Sequence, residues 1–145
     1  MPTLRQLQIT IDCAEPARLA AFWCEAVGYV LPPVPEGFAS WEEYHRSLPP
    51  EEQQPAYFAC ADPTGVGPRL LFQRVPEGKT VKNRVHIDVR AGKGLVGEER
   101  LATLQGEQAR LEALGAVHLW TQLADGEEES CVTMQDPEGN EFCLD

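Results

Sequence analysis

The 145-residue chain has no apolar run of about 18 residues, the length a membrane-spanning helix needs. Its first residues, Met1-Pro2-Thr3-Leu4-Arg5, lack the apolar core of a signal peptide. Basic residues are scarce: 12 Lys and Arg stand against 23 Asp and Glu, a formal net charge of −11. That field repels phosphate backbones and anionic lipid, so neither nucleic acid nor a membrane surface is expected as a partner. The five cysteines, Cys13, Cys24, Cys60, Cys131 and Cys143, are odd in number, widely spaced and without a C-x-x-C. They argue against a disulfide framework and a structural zinc site, and for reduced thiols in a cytoplasm.

What is present is ordinary for a folded protein, 43% hydrophobic and 24% charged. The length suits one domain that buries roughly two-thirds of the surface its unfolded chain exposes. The most informative stretch is Asn83 to Arg90, which alternates strictly. Val85, Ile87 and Val89 fall on one face of the predicted strand; His86, Asp88 and Arg90 fall on the other. His86 and Asp88 then project side by side, roughly 6.5–7 Å apart at the backbone. A solvated outer face explains such a pattern as well as a ligand-facing one. What weighs for the latter is a second strand of the same polarity, with Leu7, Ile9 and Ile11 on one face and Gln8, Thr10 and Asp12 on the other.

A helix is predicted from Pro16 to about Val27, with Leu19, Phe22, Trp23, Ala26 and Val27 on one stripe and Gly28 as its stop. Tyr29-Val30-Leu31 begins another strand, and Pro32-Pro33 opens an irregular stretch to about Pro55. Within it Ser40 to Leu48 reads as a short helix, Ser40 capping it and Glu43 completing a capping box. So long a loop is often a lid or a binding loop, and Trp41 and Tyr44 are its natural pocket-facing or core-anchoring groups. Strands follow at 56–61 and 69–75, joined by the turn Asp62-Pro63-Thr64-Gly65. After the strand at 83–90 come a helix from about Gly97 to Leu114, with Leu101, Leu104, Leu111 and Leu114 apolar, and strands at 117–122, 131–135 and 141–144.

The order is strand, helix, three strands, and then the same again. Asp62-Pro63-Thr64-Gly65 returns as Asp136-Pro137-Glu138-Gly139, and Gln8-Ile9-Thr10 as His86-Ile87-Asp88. Two copies of one supersecondary unit predict pseudo-symmetry and a cavity made by strands from both halves.

Gln8 through Trp23, Gly28-Tyr29, Leu71-Phe72-Gln73, Asn83 through Asp88, Arg110 through Ala116 and Asp136 through Leu144 resemble the vicinal oxygen chelate superfamily, which includes glyoxalase I, bleomycin-resistance proteins and extradiol dioxygenases. Within it the chain looks most like the glyoxalase-like proteins, over nearly its whole length. The resemblance implies an α+β fold of two βαβββ modules, about 4–76 and about 82–145, in one glyoxalase-like domain spanning 1–145. Their curved mixed sheets would enclose a central pocket, in a homodimer or a related paired assembly. Metal-dependent members place ligands at four strand positions, which here hold Gln8, Gln73, His86 and Cys143. Gln8 and Gln73 offer only neutral carbonyl oxygens, and His86 with Cys143 makes two nitrogen and sulfur donors where zinc or iron takes three or four. The expectation is therefore no metal and no cofactor, a divalent metal standing as the alternative.

The residues expected to meet a ligand are Gln8, Thr10, Gln73, His86, Asp88, Cys143 and Trp41, with Asp12 facing the same way unless it caps the following helix. His86 with Asp88 is the candidate catalytic pair, a general base whose imidazolium the carboxylate stabilises. Cys143 is read first as a packed thiol, and as a nucleophile only if it meets His86. Asp62 and Asp136 are turn residues, and Glu127, Glu128 and Glu129 a solvated turn. Three functions remain open: a small-molecule binding protein working without a metal; a lyase, isomerase or dioxygenase using His86; and an interaction domain with a packed cavity. The fold does not choose between them.

Overall fold

The structure, a computed structural model, describes residues 1–145. It divides into two compact units, Met1–Gly78 and Lys79–Asp145, each described by itself. No helix is long and apolar enough to cross a membrane.

The first unit runs β1 (Gln8–Cys13), α1 (Pro16–Val27), α2 (Trp41–Ser47), β2 (Tyr57–Cys60) and β3 (Arg69–Arg74). Its sheet has the order β1-β3-β2, β1 pairing parallel with β3 and β2 antiparallel. Alternation assigns the faces. Phe58, Cys60, Leu70 and Phe72 are buried against α1, whose Leu19, Phe22 and Trp23 fill the space between. Pro16 starts α1 where its missing N–H costs nothing, and Gly28 ends it in the left-handed conformation (φ 73°) that side chains disfavour. Asp12 stays in β1, three residues before the N-cap Glu15, and does not cap the helix.

Three expected features differ here. The strand begun at Tyr29 shrinks to one bridge, Val30 exchanging both backbone hydrogen bonds with Ala61 (2.9 and 3.0 Å), because Pro32 and Pro33 have no N–H to extend a ladder. The Ser40 hydroxyl accepts from the Glu43 N–H (3.1 Å), but the Glu43 carboxylate reaches one residue further back than a capping box requires, to the Ala39 N–H (2.8 Å). Leu7, expected on the apolar face, lies outside β1 and is exposed.

The second unit runs β4 (Ile87–Val89), α3 (Gly97–Ala113), β5 (Val117–Gln122), β6 (Cys131–Gln135) and β7 (Glu141–Leu144), in the sheet order β4-β7-β6-β5. β4 pairs parallel with β7, and β6 antiparallel with both β5 and β7. The two units thus share one pattern, the Val30–Ala61 bridge standing where β5 stands in the second. Val132, Met134, Phe142 and Leu144 bury one face under Leu104 and Leu111 of α3.

The predicted strand at 83–90 survives only as Ile87–Val89, and Val85, expected on the covered face, is exposed. The cause is Asn83. Its side chain donates to the carbonyls of Val85 and Glu141 and accepts from the Glu141 N–H (2.8 Å), occupying backbone groups of β7 that a longer strand would have paired. Glu141 is further tied to Lys79 (2.9 Å) and the Asn83 N–H (3.2 Å). Burial pushes its carboxyl up, but these hydrogen bonds outweigh that and hold it below the usual carboxylate value.

α3 starts at Gly97 as expected and stops one residue before Leu114. Leu114 caps α3 and is exposed, Leu101 is half-buried, and the buried member of the first turn is Arg100. Its guanidinium donates to the Ser130 carbonyl (3.0 Å), the Gly92 carbonyl (3.0 Å) and Asp145 (2.6 Å), joining helix, loop and chain end. Gly92 admits this arrangement, because an added Cβ would lie 3.2 Å from both the Arg100 Cγ and the Leu104 Cδ2. Arg100→Met keeps the volume but takes the side-chain donor from the Ser130 carbonyl, while the Gly92 carbonyl keeps the Leu95 N–H (2.9 Å) and Asp145 keeps Arg90 (3.0 Å). It is expected to lower stability by about 1–3 kcal/mol in urea unfolding.

Candidate functional site

Each sheet leaves its second face free of its helix, and the expected site residues lie there. In the first unit β1 contributes Gln8, Thr10 and Asp12, all exposed, and β3 contributes Arg69, Leu71 and Gln73. Gln8 lies opposite Arg69, Thr10 opposite Leu71, and Asp12 opposite Gln73. Tyr57 and Ala59 extend the face along β2. Over its edge leans the segment carrying α2.

There Trp41, Tyr44 and His45 meet the strand. The Trp41 ring stands edge-on to Phe58 (centroids 4.9 Å apart) and to Tyr44 (5.7 Å), while His45 lies 5.6 Å from Trp41 and 5.8 Å from Phe58. The Trp41 indole N–H donates to the Pro32 carbonyl (2.8 Å), fixing the ring. These groups, with Leu71 and Arg69, bound a cleft of about 380 Å³. Desolvation there lowers the His45 pKa, so the folded state favours the neutral ring.

In the second unit His86 just precedes β4, and its Nε2 is 3.2 Å from an Asp88 carboxylate oxygen. Asp88 lies directly opposite Cys143, which is opposite Thr133 on its other side. The ligating atoms of His86, Asp88 and Cys143 all fall within 4.8 Å of one another. The Cys143 Sγ is 3.6 Å from the Thr133 hydroxyl, and the Cys131 thiol is near enough to be influenced by it. Burial pushes the Cys131 thiol up to about 12, the neighbouring Cys143, Asp145 and Asp88 adding to it. Trp120, on the same face, is exposed.

The expected residues therefore fall in two groups. Trp41 joins an aromatic cleft in the unit that holds Gln8, Thr10 and Gln73, and His86, Asp88 and Cys143 meet in the other. The sequence reading missed Arg69, His45, Phe58 and Cys131. Parity gave a signal for two of them: Arg69 alternates with Gln73, and Cys131 with Thr133, so each falls on the free face. Asp62 and Asp136 organise turns, as expected. Asp62 accepts from the Thr64 and Gly67 N–H groups (both 2.7 Å), and Asp136 from those of Glu138 (2.9 Å) and Asn140 (3.0 Å).

The four positions that the resemblance assigns to a metal do not suit one. The Gln8 amide oxygen, the first of them, accepts from the Arg69 guanidinium (2.8 Å), a cation set where a metal would have to bind. The Gln73 amide brings no charge to offset it.

His45 has a measurable consequence. Its folded pKa is depressed, so its contribution to stability is complete above the unfolded value of 6.5 and falls as pH drops through 6.5 toward the lower folded value. The wild-type urea midpoint is expected to decline over that range more steeply than that of His45→Gln.

The same architecture occurs in solved structures. A glyoxalase/bleomycin resistance protein/dioxygenase family enzyme from Burkholderia phytofirmans PsJN superposes with a TM-score of 0.60 at 13% identity, covering 94% of each chain. A mutant of the fosfomycin resistance protein FosX from Listeria monocytogenes, complexed with Mn(II) and a dihydroxypropylphosphonic acid, gives 0.60 at 10% identity, covering 99% of this chain and 90% of its own. A possible glyoxalase from Bacillus cereus gives 0.57 at 13% identity, covering 98% of each. At such identities the likeness is one of fold. A search of curated proteins gave no match. The sequence profile of the Glyoxalase-like domain matches residues 8–144, and the chain belongs to that family.

Proposed function

We propose that this glyoxalase-like chain binds a small organic molecule with a planar aromatic body, without a metal at the family positions. The supporting observation is the cleft of about 380 Å³ bounded by Trp41, Tyr44, His45, Tyr57, Phe58 and Leu71. Its volume lies within the roughly 300–1,000 Å³ of ligand clefts, and its rings offer both faces and edges to a flat ligand. The net charge of −11 favours a ligand carrying positive charge over an anion. Gln8, Thr10 and Gln73 supply hydrogen-bonding groups on the same sheet face.

The test is a thermal-shift and calorimetric screen of planar aromatic amines. A binder present at about a hundredfold its Kd stabilises the fold by about 2.7 kcal/mol. Trp41→Ala is expected to weaken binding at least about tenfold, or 1.4 kcal/mol, and Trp41→Phe to restore most of it. A broad panel that shifts nothing overturns the reading.

A second reading, an enzyme of the lyase, isomerase or dioxygenase type, is favoured by the contact between His86 and Asp88. It is tested by turnover of any binder found: a reaction abolished in His86→Ala supports it, and one indifferent to His86→Ala ends it.

A further inference from the structure

We propose that the first unit holds a second ligand site, a cavity of about 750 Å³ between α1 and the segment carrying α2, which takes a neutral, largely hydrocarbon molecule. This goes beyond the aromatic cleft and does not depend on the ligand assigned there.

The cavity follows from the edge of the sheet. β2 is the last strand, and its outer side is paired only through the Val30–Ala61 bridge. The α2 segment wraps around that side, with the Trp41 and His45 rings against Phe58 (centroids 4.9 and 5.8 Å). Phe58 belongs to the face that α1 covers, so the three rings that bound the cleft also bound a second space, toward α1. There α1 presents Ala17 and Ala21, one helical turn apart, and side chains that small leave the space open. Leu31 and Val34 add to its apolar lining. No residue of α2 is buried, so the segment roofs the cavity without filling it.

Much of the polarity on the lining is already engaged. Arg18 pairs with Glu15 (3.1 Å) and Arg46 with Glu42 (2.9 Å), so the charged side chains there cancel, in a chain of net charge −11. The Trp41 indole N–H goes to the Pro32 carbonyl (2.8 Å) and the Gln53 amide to the Leu48 carbonyl (3.0 Å), while the Ser40 hydroxyl takes the Glu43 N–H (3.1 Å). A charged ligand would give up its water here and find these partners taken; a hydrocarbon loses nothing by entering. Desolvation lowers the His45 pKa, as expected of a ring set between two poorly hydrated spaces. The cleft differs in its lining, which includes the Arg69 guanidinium, bonded to the neutral Gln8 amide. The cavity's volume also lies within the roughly 300–1,000 Å³ of small-molecule sites.

The probe is anilinonaphthalene, a neutral dye of two aromatic groups joined by a single N–H, whose fluorescence rises when it leaves water. The full chain is expected to bind it. Its sulfonate and naphthylmethylammonium, which carry one charge of either sign, are expected to bind there at least about tenfold more weakly. Ala21→Phe fills the cavity from an exposed helix position, and Val34→Glu brings an unpaired charge to it. Each is expected to weaken the dye at least about tenfold, with the circular dichroism of the wild type. Tyr57→Ala, which alters the cleft alone, leaves dye binding unchanged. The site is disproved if the dye does not bind, if either charged compound matches it, or if binding ignores Ala21→Phe or Val34→Glu. Loss of the dye in Tyr57→Ala would put it in the aromatic cleft and also overturn the proposal. So would an affinity that falls as the chain concentration rises, which would show a second copy covering the cavity. Each of these results leaves the aromatic-amine screen to be judged by its own outcome.

Discussion

Every functional feature of this chain follows from each sheet having one helix and two faces. A single amphipathic helix covers one side of three or four strands, and the strict alternation of side chains sends everything else to the other. α1 takes Phe58, Leu70 and Phe72; α3 takes Val132, Met134, Phe142 and Leu144. The free faces carry the polar, aromatic and thiol-bearing side chains, with Leu71 and Ala59 among them in the first unit. A one-residue slip of any strand would exchange the two sets, so core packing and site composition are held by the same register.

That register is pinned at the edges of the second unit by polar groups. Arg100 sits where an apolar residue would be the simpler choice for a buried helix position. Two of its three hydrogen bonds go to the Ser130 and Gly92 carbonyls, outside the sheet ladder, and the third, to Asp145, anchors the residue following β7. At the other end Asn83 and Lys79 do the same around Glu141. β4 is short, yet Asp88 has little freedom to leave its place opposite Cys143, because the chain on both sides of β4 is fastened.

This explains what the sequence revealed and what it hid. Period-two alternation and two helical stripes were enough to find the repeat, the element order and the face on which Gln8, Thr10, His86 and Asp88 lie, because those are properties of the backbone and of burial. The strand at 83–90 was read too long because Asn83 competes for backbone partners through its side chain, a contact across 58 residues that no local pattern announces. Arg100 is hidden from the sequence because a charged residue in a helix reads as solvent-facing until the carbonyls it meets are known. The aromatic cleft is half legible: the long loop and Trp41 stand out, but Phe58 reads only as part of a strand. The meeting of Cys131 with Cys143 required knowing that β6 and β7 are neighbours.

The repeat also shows how two copies of one framework diverge. Leu71 in β3 and Cys143 in β7 occupy equivalent places: Thr10 and Ala59 flank the first, Asp88 and Thr133 the second. Two residues before Ala59 stands Tyr57; two before Thr133 stands Cys131. The positions that in the first unit are tyrosine, alanine and leucine, lining an aromatic cleft, are in the second cysteine, threonine and cysteine beside a histidine and an aspartate. Neither set suits the other's chemistry. A thiol cluster gives a flat ligand little to stack on, and the leucine and alanine offer no donor to a cation. The duplicated backbone supplies the same geometry twice, and side-chain substitution at three matched positions is enough to give the two free faces different chemistry.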